Sequence, residues 1–187
     1  MKKILPIALL VLSVIFTSCS SDDNDSNDAE ASFSATINGT AWKPTKINTA
    51  TLIKIPGYGQ RFDISVQDDS LMLLLAFESE VTNNDGMPLK QYNFFEDPSE
   101  NQVSNALFVN TYLYANGNSV TEHLPVSGKI TVTSVDTDKK TISGTFSFRS
   151  EKGEEEAFKI KATTPNVFEV TNGVFTNLPY TVITAQP

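Results

Sequence analysis

Cysteine and histidine are almost missing from this chain of 187 residues, which holds one of each, Cys19 and His123. One thiol closes no intramolecular disulfide and builds no CxxC redox or zinc site. One histidine beside it excludes a zinc centre of the usual ligand set. Cations are scarce as well: 14 lysines and arginines face 22 aspartates and glutamates, for a net charge of −8. No run of basic residues forms a patch, which argues against nucleic acid or anionic lipid as an electrostatic partner, although plain solubility also accounts for the acidic excess. No apolar run reaches the roughly 20 residues that a spanning helix needs. No long amphipathic helical pattern occurs either. Without metal or disulfide, stability must come from packing, and the 169 residues from Cys19 to Pro187 are enough for one domain with a sizeable core.

What is present begins with Met1-Lys2-Lys3, a basic start, followed by the apolar stretch Ile4 to Phe16 and the small residues Thr17-Ser18. This is the layout of an export signal over residues 1–18. Phe16-Thr17-Ser18-Cys19 resembles the bacterial lipoprotein box, with phenylalanine where leucine is more common. The resemblance implies cleavage before Cys19, a thioether-linked diacylglycerol on its sulfur and usually an N-acyl chain; the residue inventory itself calls for no metal or other cofactor. A single fatty chain gives marginal membrane binding at about 0.8 kcal/mol per buried methylene, whereas two or three on one residue hold a protein essentially irreversibly. Removal of Lys2 and Lys3 with the signal makes the mature chain two charges more negative.

Ser20 to Ala31 (SSDDNDSNDAEA) carries five carboxylates and no large apolar side chain, so residues 19–31 read as a lipidated cysteine and an acidic flexible tether. A coil of this length spans about 20 Å, or more when its charges repel. Its place behind the cysteine resembles the acidic export signals of Bacteroidota lipoproteins. That implies the outer membrane, facing the exterior, with the periplasmic face as the alternative. The run lacks the glycine and the distal glutamate of an EF-hand loop.

From Ser32 to Pro187 the chain reads as a single all-β domain. Phe33, Ala35 and Ile37 alternate with polar residues, and Asn38-Gly39 supplies the positive-φ pair of a two-residue type I′ hairpin. Paired positions then sum to 77, so that Ile37 faces Thr40 and Ala35 faces Trp42. Further strands are expected over 47–55, 61–67, 71–77, 91–95 and 106–114. The unalternating run Leu71 to Phe77 could be a buried helix capped by Ser70, but its brevity and strand-like neighbours favour a central strand. Ile130 and Val132 lead through the polar turn 136–140 to Ile142, Gly144, Phe146 and Phe148, and a second turn at 151–153 leads to Phe158, Ile160 and Ala162. About ten strands predict an antiparallel β-sandwich, with a closed barrel as the alternative.

Four fragments, Ala35-Thr-Ile-Asn-Gly-Thr-Ala-Trp42, Gly128-Lys-Ile-Thr-Val-Thr-Ser-Val-Asp136, Ile142-Ser-Gly-Thr-Phe-Ser-Phe148 and Val170-Thr-Asn-Gly-Val-Phe-Thr-Asn-Leu-Pro-Tyr180, together resemble a Bacteroidota lipoprotein domain family of unknown function. The resemblance spans Phe33 to Tyr180. It implies an exported all-β domain and transfers no catalytic residue.

Chemistry is sparse. His123 lies in Thr121-Glu122-His123-Leu124-Pro125, which reads as a solvated loop with no nucleophile elbow nearby. Glu78 and Glu80 would project from one strand face about 7 Å apart, a spacing that inverting glycosidases use, but catalytic carboxylates flank a bond from opposing walls. Asp136 and Asp138 could join a calcium site or simply serve the turn. The aromatic set is more suggestive. On the strand at 106–114, Leu107, Val109 and Leu113 fall on one face, and Phe108, Asn110, Tyr112 and Tyr114 on the other. If the aliphatic face is core, the aromatic face is either packed under a loop or presented as a ledge suited to a sugar ring or a protein partner. The sequence therefore points to a lipid-anchored, non-catalytic binding or structural module, with glycan capture by the ledge as the alternative and a carboxylate hydrolase as a further one.

Overall fold

The computed structural model describes residues 30–94, 107–115, 119–152 and 165–185, and for 107–115, 119–122 and 124 it describes the backbone. The lipobox, the tether up to residue 29 and the strand expected around Phe158, Ile160 and Ala162 lie outside these residues. Eleven strands occur among the described residues and no helix: β1 Ser32–Ile37, β2 Thr40–Trp42, β3 Lys46–Ile55, β4 Gly59–Gln67, β5 Leu71–Ser79, β6 Gln91–Asn93, β7 Leu107–Ala115, β8 Ser119–Asp136, β9 Thr141–Lys152, β10 Val167–Pro179 and β11 Thr181–Thr184. The first hairpin has the expected register, Ile37 opposite Thr40 and Ala35 opposite Trp42. Asn38 and Gly39 at φ of 48° and 79° form its turn, as a type I′ connection demands.

Hydrogen bonding runs along the path β11-β3-β4-β5-β7-β8-β9-β10-β1-β2, with β6 on the edge of β8. Every ladder is antiparallel except β11 on β3. The path does not close, so the architecture is a β-sandwich and not the barrel alternative. β8 makes the fold possible by changing partners along its length: residues 119–123 pair with β7, while 129–131 pair with β6. A bulge between Pro125 and Ser127 lies between these two segments. The facing layers share one core. Phe62, Ile64 and Val66 of β4 and Leu73, Leu75 and Phe77 of β5 are fully buried in it, as are Ile130, Ile142, Phe175 and Leu178. Rings bridge the layers, Tyr180 edge-on to Phe62 at 5.2 Å and Tyr92 against Phe77 at 5.0 Å. Each such side chain contributes about 1.5–3 kcal/mol on burial. Leu71 to Phe77 is the interior strand that its brevity suggested, between β4 and β7.

Three motif glycines interlock with three phenylalanines. Gly128 pairs with Phe148, Gly144 with Phe175 and Gly173 with Phe146. A Cβ on Gly144 would lie 2.4 Å from the Phe175 ring and 2.4 Å from the Thr131 carbonyl oxygen; one on Gly173 would lie 2.5 Å from the Phe146 ring. At Gly144 and Gly173 a phenylalanine ring occupies the space where a side chain would stand, whereas at Gly128 a Cβ would meet the Phe148 Cβ at 2.6 Å and the Ser147 carbonyl oxygen at 2.7 Å. In β10 the extra residues are taken up by register shifts, with Asn172 and Asn177 at φ of 51° and 46°, a conformation asparagine tolerates better than most residues. Strand β10 was not expected from the sequence, and β9 continues through Glu151 and Lys152 where a turn was expected.

Candidate functional site

The residues expected to form a ledge lie on strand β7, and its register with β5 sorts them by face. Leu107, Val109 and Leu113 stand opposite Phe77, Leu75 and Leu71, all core residues of β5. Phe108, Asn110 and Tyr112 stand opposite Ala76, Leu74 and Met72, the alternate set on β5. Directly opposed residues share a face, so the division into an aliphatic and an aromatic set matches the two faces of this sheet. Tyr114 lies beyond β5, opposite Val120 of β8, and Tyr112 also faces Glu122. Farther across the same face, Arg61 holds Asp63 at 2.7 Å and approaches Glu78 at 3.8 Å. Thr49 and Thr51 share a hydroxyl contact of 2.7 Å, continued to Thr181 at 3.4 Å. The face therefore grades from a charge-paired and hydroxyl-lined side to the strand with the aromatic positions.

The remaining sequence candidates are dispersed. Glu78 is tied to Arg61, while Glu80 lies past the end of β5. Asp136 uses its Oδ1 to accept the backbone N–H groups of Asp138 and Lys139 at 3.0 and 2.8 Å, which is turn chemistry. Among the described residues no group of three His, Cys, Asp or Glu side chains is arranged to hold a metal ion. His123 is not in a solvated loop. It sits on β8, is fully buried, and packs edge-on against Phe168 at 4.6 Å. Its Nε2 lies 2.8 Å from the Pro165 carbonyl oxygen and therefore carries the proton. Nδ1 has no hydrogen-bond partner among the described residues.

Sequence reasoning missed the polar strap that closes one end of the sandwich. Lys54, nearly buried on β3, donates to the Asn84 carbonyl oxygen at 2.9 Å and reaches Asp85 at 3.4 Å; Lys140 donates to the other Asp85 oxygen at 2.9 Å. These two ammonium groups hold the Asp85 carboxyl below the usual carboxylate range. Tyr180 donates to the Asp85 carbonyl oxygen at 2.5 Å, and burial, then the charges of Asp85 and Asp136, push its hydroxyl pKa up. Buried Gln60 donates to the Gly86 carbonyl oxygen at 3.0 Å and accepts from the Thr82 N–H at 3.1 Å. The loop following β5 is thus fastened to both layers. The pairing of Lys54 with a loop 31 residues away leaves no local signal.

Two surface clefts lie at this end. One, of about 350 Å³, is lined by Gly57, Tyr58, Gly59, Ser79, Glu80 and Val81. The other, of about 750 Å³, lies between the chain entering β1 at Glu30 and Ala31 and the β8–β9 turn at Asp136 and Lys139. In the β3–β4 turn Tyr58 donates its N–H to the Ile55 carbonyl oxygen at 3.0 Å with Gly57 at φ of 84°, the type II arrangement that a Pro-Gly pair favours.

Compared with known proteins, residues 29–179 match the family model described as Domain of unknown function (DUF6252). No curated protein and no solved structure matches.

Proposed function

From the chain's membership of the DUF6252 family, whose description assigns no activity, we propose that this protein is a lipid-anchored outer-membrane lipoprotein facing the exterior. Its β-sandwich serves as a non-catalytic binding or structural module. The observation that carries this reading is the sequence Phe16-Thr17-Ser18-Cys19 and the acidic segment 20–31 set directly before a domain that starts at Ser32. Acyl chains on Cys19 supply attachment without any contribution from the folded domain. Cys19→Ala, or globomycin treatment of cells making the wild type, is expected to leave an unprocessed precursor that no longer fractionates with the outer membrane. Normal processing and localisation in either case refutes the anchor. Protease added to intact cells distinguishes the faces: degradation supports exterior exposure, protection the periplasmic alternative.

The second reading, glycan capture, is favoured by the β5–β7 register, which groups Phe108, Asn110 and Tyr112 away from the core positions. Aromatic faces beside an amide suit a sugar ring. Tyr112→Ala is expected to lose binding on a glycan array that the wild type retains. Equal binding by both proteins, or by neither, removes the idea.

A further inference from the structure

The chain enters β1 at the end of the sandwich where apolar side chains of the β3–β4 turn, the β5–β6 loop and β11 are exposed. Ser32 lies opposite Thr176 on β10, three residues before Pro179, which pairs with Thr141 at the β8–β9 turn. That turn is fastened through Lys140 and Asp85 to Lys54, one residue before the end of β3. Beyond Lys54 the β3–β4 turn projects Ile55 and Tyr58, which are 43% and 84% exposed, and Val81 at 38% shares a cleft with Tyr58. Ile183, 53% exposed, faces Ile53 near the same end of β3, because β11 runs parallel to it. Leu89, 63% exposed, lies on the loop before β6.

We propose that this end of the sandwich docks on the lipid bilayer that holds the anchor, with Tyr58, Ile55 and Val81 seated at the headgroup boundary. The proposal rests on the lipid anchor at Cys19. Twelve residues separate Cys19 from Ser32, and a coil of that length spans about 20 Å. Turning the opposite end downward would require the connection to cover β1 as well, about 20 Å for its six residues. The near end meets the bilayer without that stretch. Tethering raises the effective concentration of the surface to the millimolar range, so a few shallow side chains suffice. A tyrosine ring on a Pro-Gly turn is suited to the interface, with an apolar body, a wet hydroxyl and little ordering to lose. Charge does not drive the contact. Glu80 lines the same cleft, Lys140 is engaged by Asp85, and the whole chain is acidic.

Acylation of Cys19 leaves no other thiol, so one introduced cysteine labels uniquely. Acylated full-length mature protein carrying Glu80→Cys or Thr40→Cys, the latter beside the turn at the far end of β1, is labelled with an environment-sensitive dye and reconstituted in phosphatidylethanolamine–phosphatidylglycerol vesicles containing nitroxide lipids. Quenching is expected at position 80 and not at 40, unchanged in high salt and lost when Tyr58→Ser is added. Equal quenching at both positions, or a blue shift at 80 without nitroxide quenching, overturns lipid docking, the second outcome indicating a protein neighbour. Mass spectrometry of the same samples keeps the two readings apart: an unmodified Cys19 removes the anchor and the docking with it, whereas acylated Cys19 without quenching removes docking alone.

Discussion

Gly144→Ala is expected to destabilise the domain by about 3 kcal/mol, at the upper end of ordinary overpacking, and to lower its thermal midpoint by about 10 °C. The residue lies inside β9 between Val132 and Phe175. Its dihedral angle is not in the left-handed region, so the cost is one of space and not of backbone strain. The new methyl would meet two obstacles at once, the tip of the Phe175 ring and the backbone oxygen of Thr131, both at 2.4 Å. The ring could swing aside only within a core where Phe175 is fully buried, and the carbonyl belongs to the β8 ladder and cannot move alone. Urea unfolding followed through Trp42 fluorescence measures the loss. A midpoint within error of wild type would show that the β8–β9–β10 packing is looser than the distances indicate.

Gly173 provides the contrast that identifies the cause. Its nearest obstacles are all atoms of the Phe146 ring, at 2.5 to 2.6 Å, with no backbone among them. Shortening that ring to leucine relieves a clash at Gly173 but cannot relieve one with the Thr131 carbonyl at Gly144. Gly173→Ala and Phe146→Leu should therefore compensate in part when combined, with a coupling of about 1 kcal/mol or more. The three Gly–Phe pairs also give physical content to the fragments that carried the family resemblance: Gly128, Ile142 to Phe148 and Val170 to Pro179 are the parts of β8, β9 and β10 that fit into one another.

The dipeptide Asn-Gly occurs at 38–39, 116–117 and 172–173; the first and last lie among the described residues, and their two fates mark what local sequence carries. At the first, alternating apolar residues on both sides converge on a two-residue turn, and the hairpin forms in the expected register. At the last, the same residues make a bulge inside β10, because that strand is flanked by β9 on one side and β1 on the other and cannot reverse. The flanking strands decide, and they lie far away in the chain. His123 illustrates the same limit. Threonine, glutamate and proline around it give a polar local pattern, but Phe168 and Pro165, more than 40 residues on, bury the ring. The faces of β7 were legible because alternation has a period of two and needs only one core-facing neighbour to fix its phase. Lys54 and Gln60 were not, since a polar residue that lines the end of a core is recognised by its distant partners alone.

Asp68→Ala is expected to cost about 2 kcal/mol near neutral pH and progressively less in acid, because Asp68 joins the two layers through charge-assisted hydrogen bonds. Its Oδ1 accepts the backbone N–H groups of Ser70 and Leu71, each at 2.7 Å, and the Ser70 hydroxyl at 3.1 Å; Oδ2 accepts the Trp42 indole N–H at 2.5 Å. Partial burial alone would push its pKa up, but the N–H of Ser70, the Trp42 indole and the N–H of Leu71 outweigh it and hold the carboxyl below its ordinary value of 3.8. A depressed native pKa stabilises the fold fully above the unfolded value, and this contribution disappears as the pH falls through the native one. The gap between wild type and Asp68→Ala should therefore be widest above about pH 5 and close at pH values below 3.8. Asp85 titrates in both proteins and does not affect the difference. Trp42→Phe removes the indole donor while leaving the β4–β5 turn its three other bonds, so it should recover only part of the effect and couple to Asp68→Ala by about 1 kcal/mol. A gap that stays constant from neutral pH into acid would mean that the Asp68 contacts act through shape and not through charge.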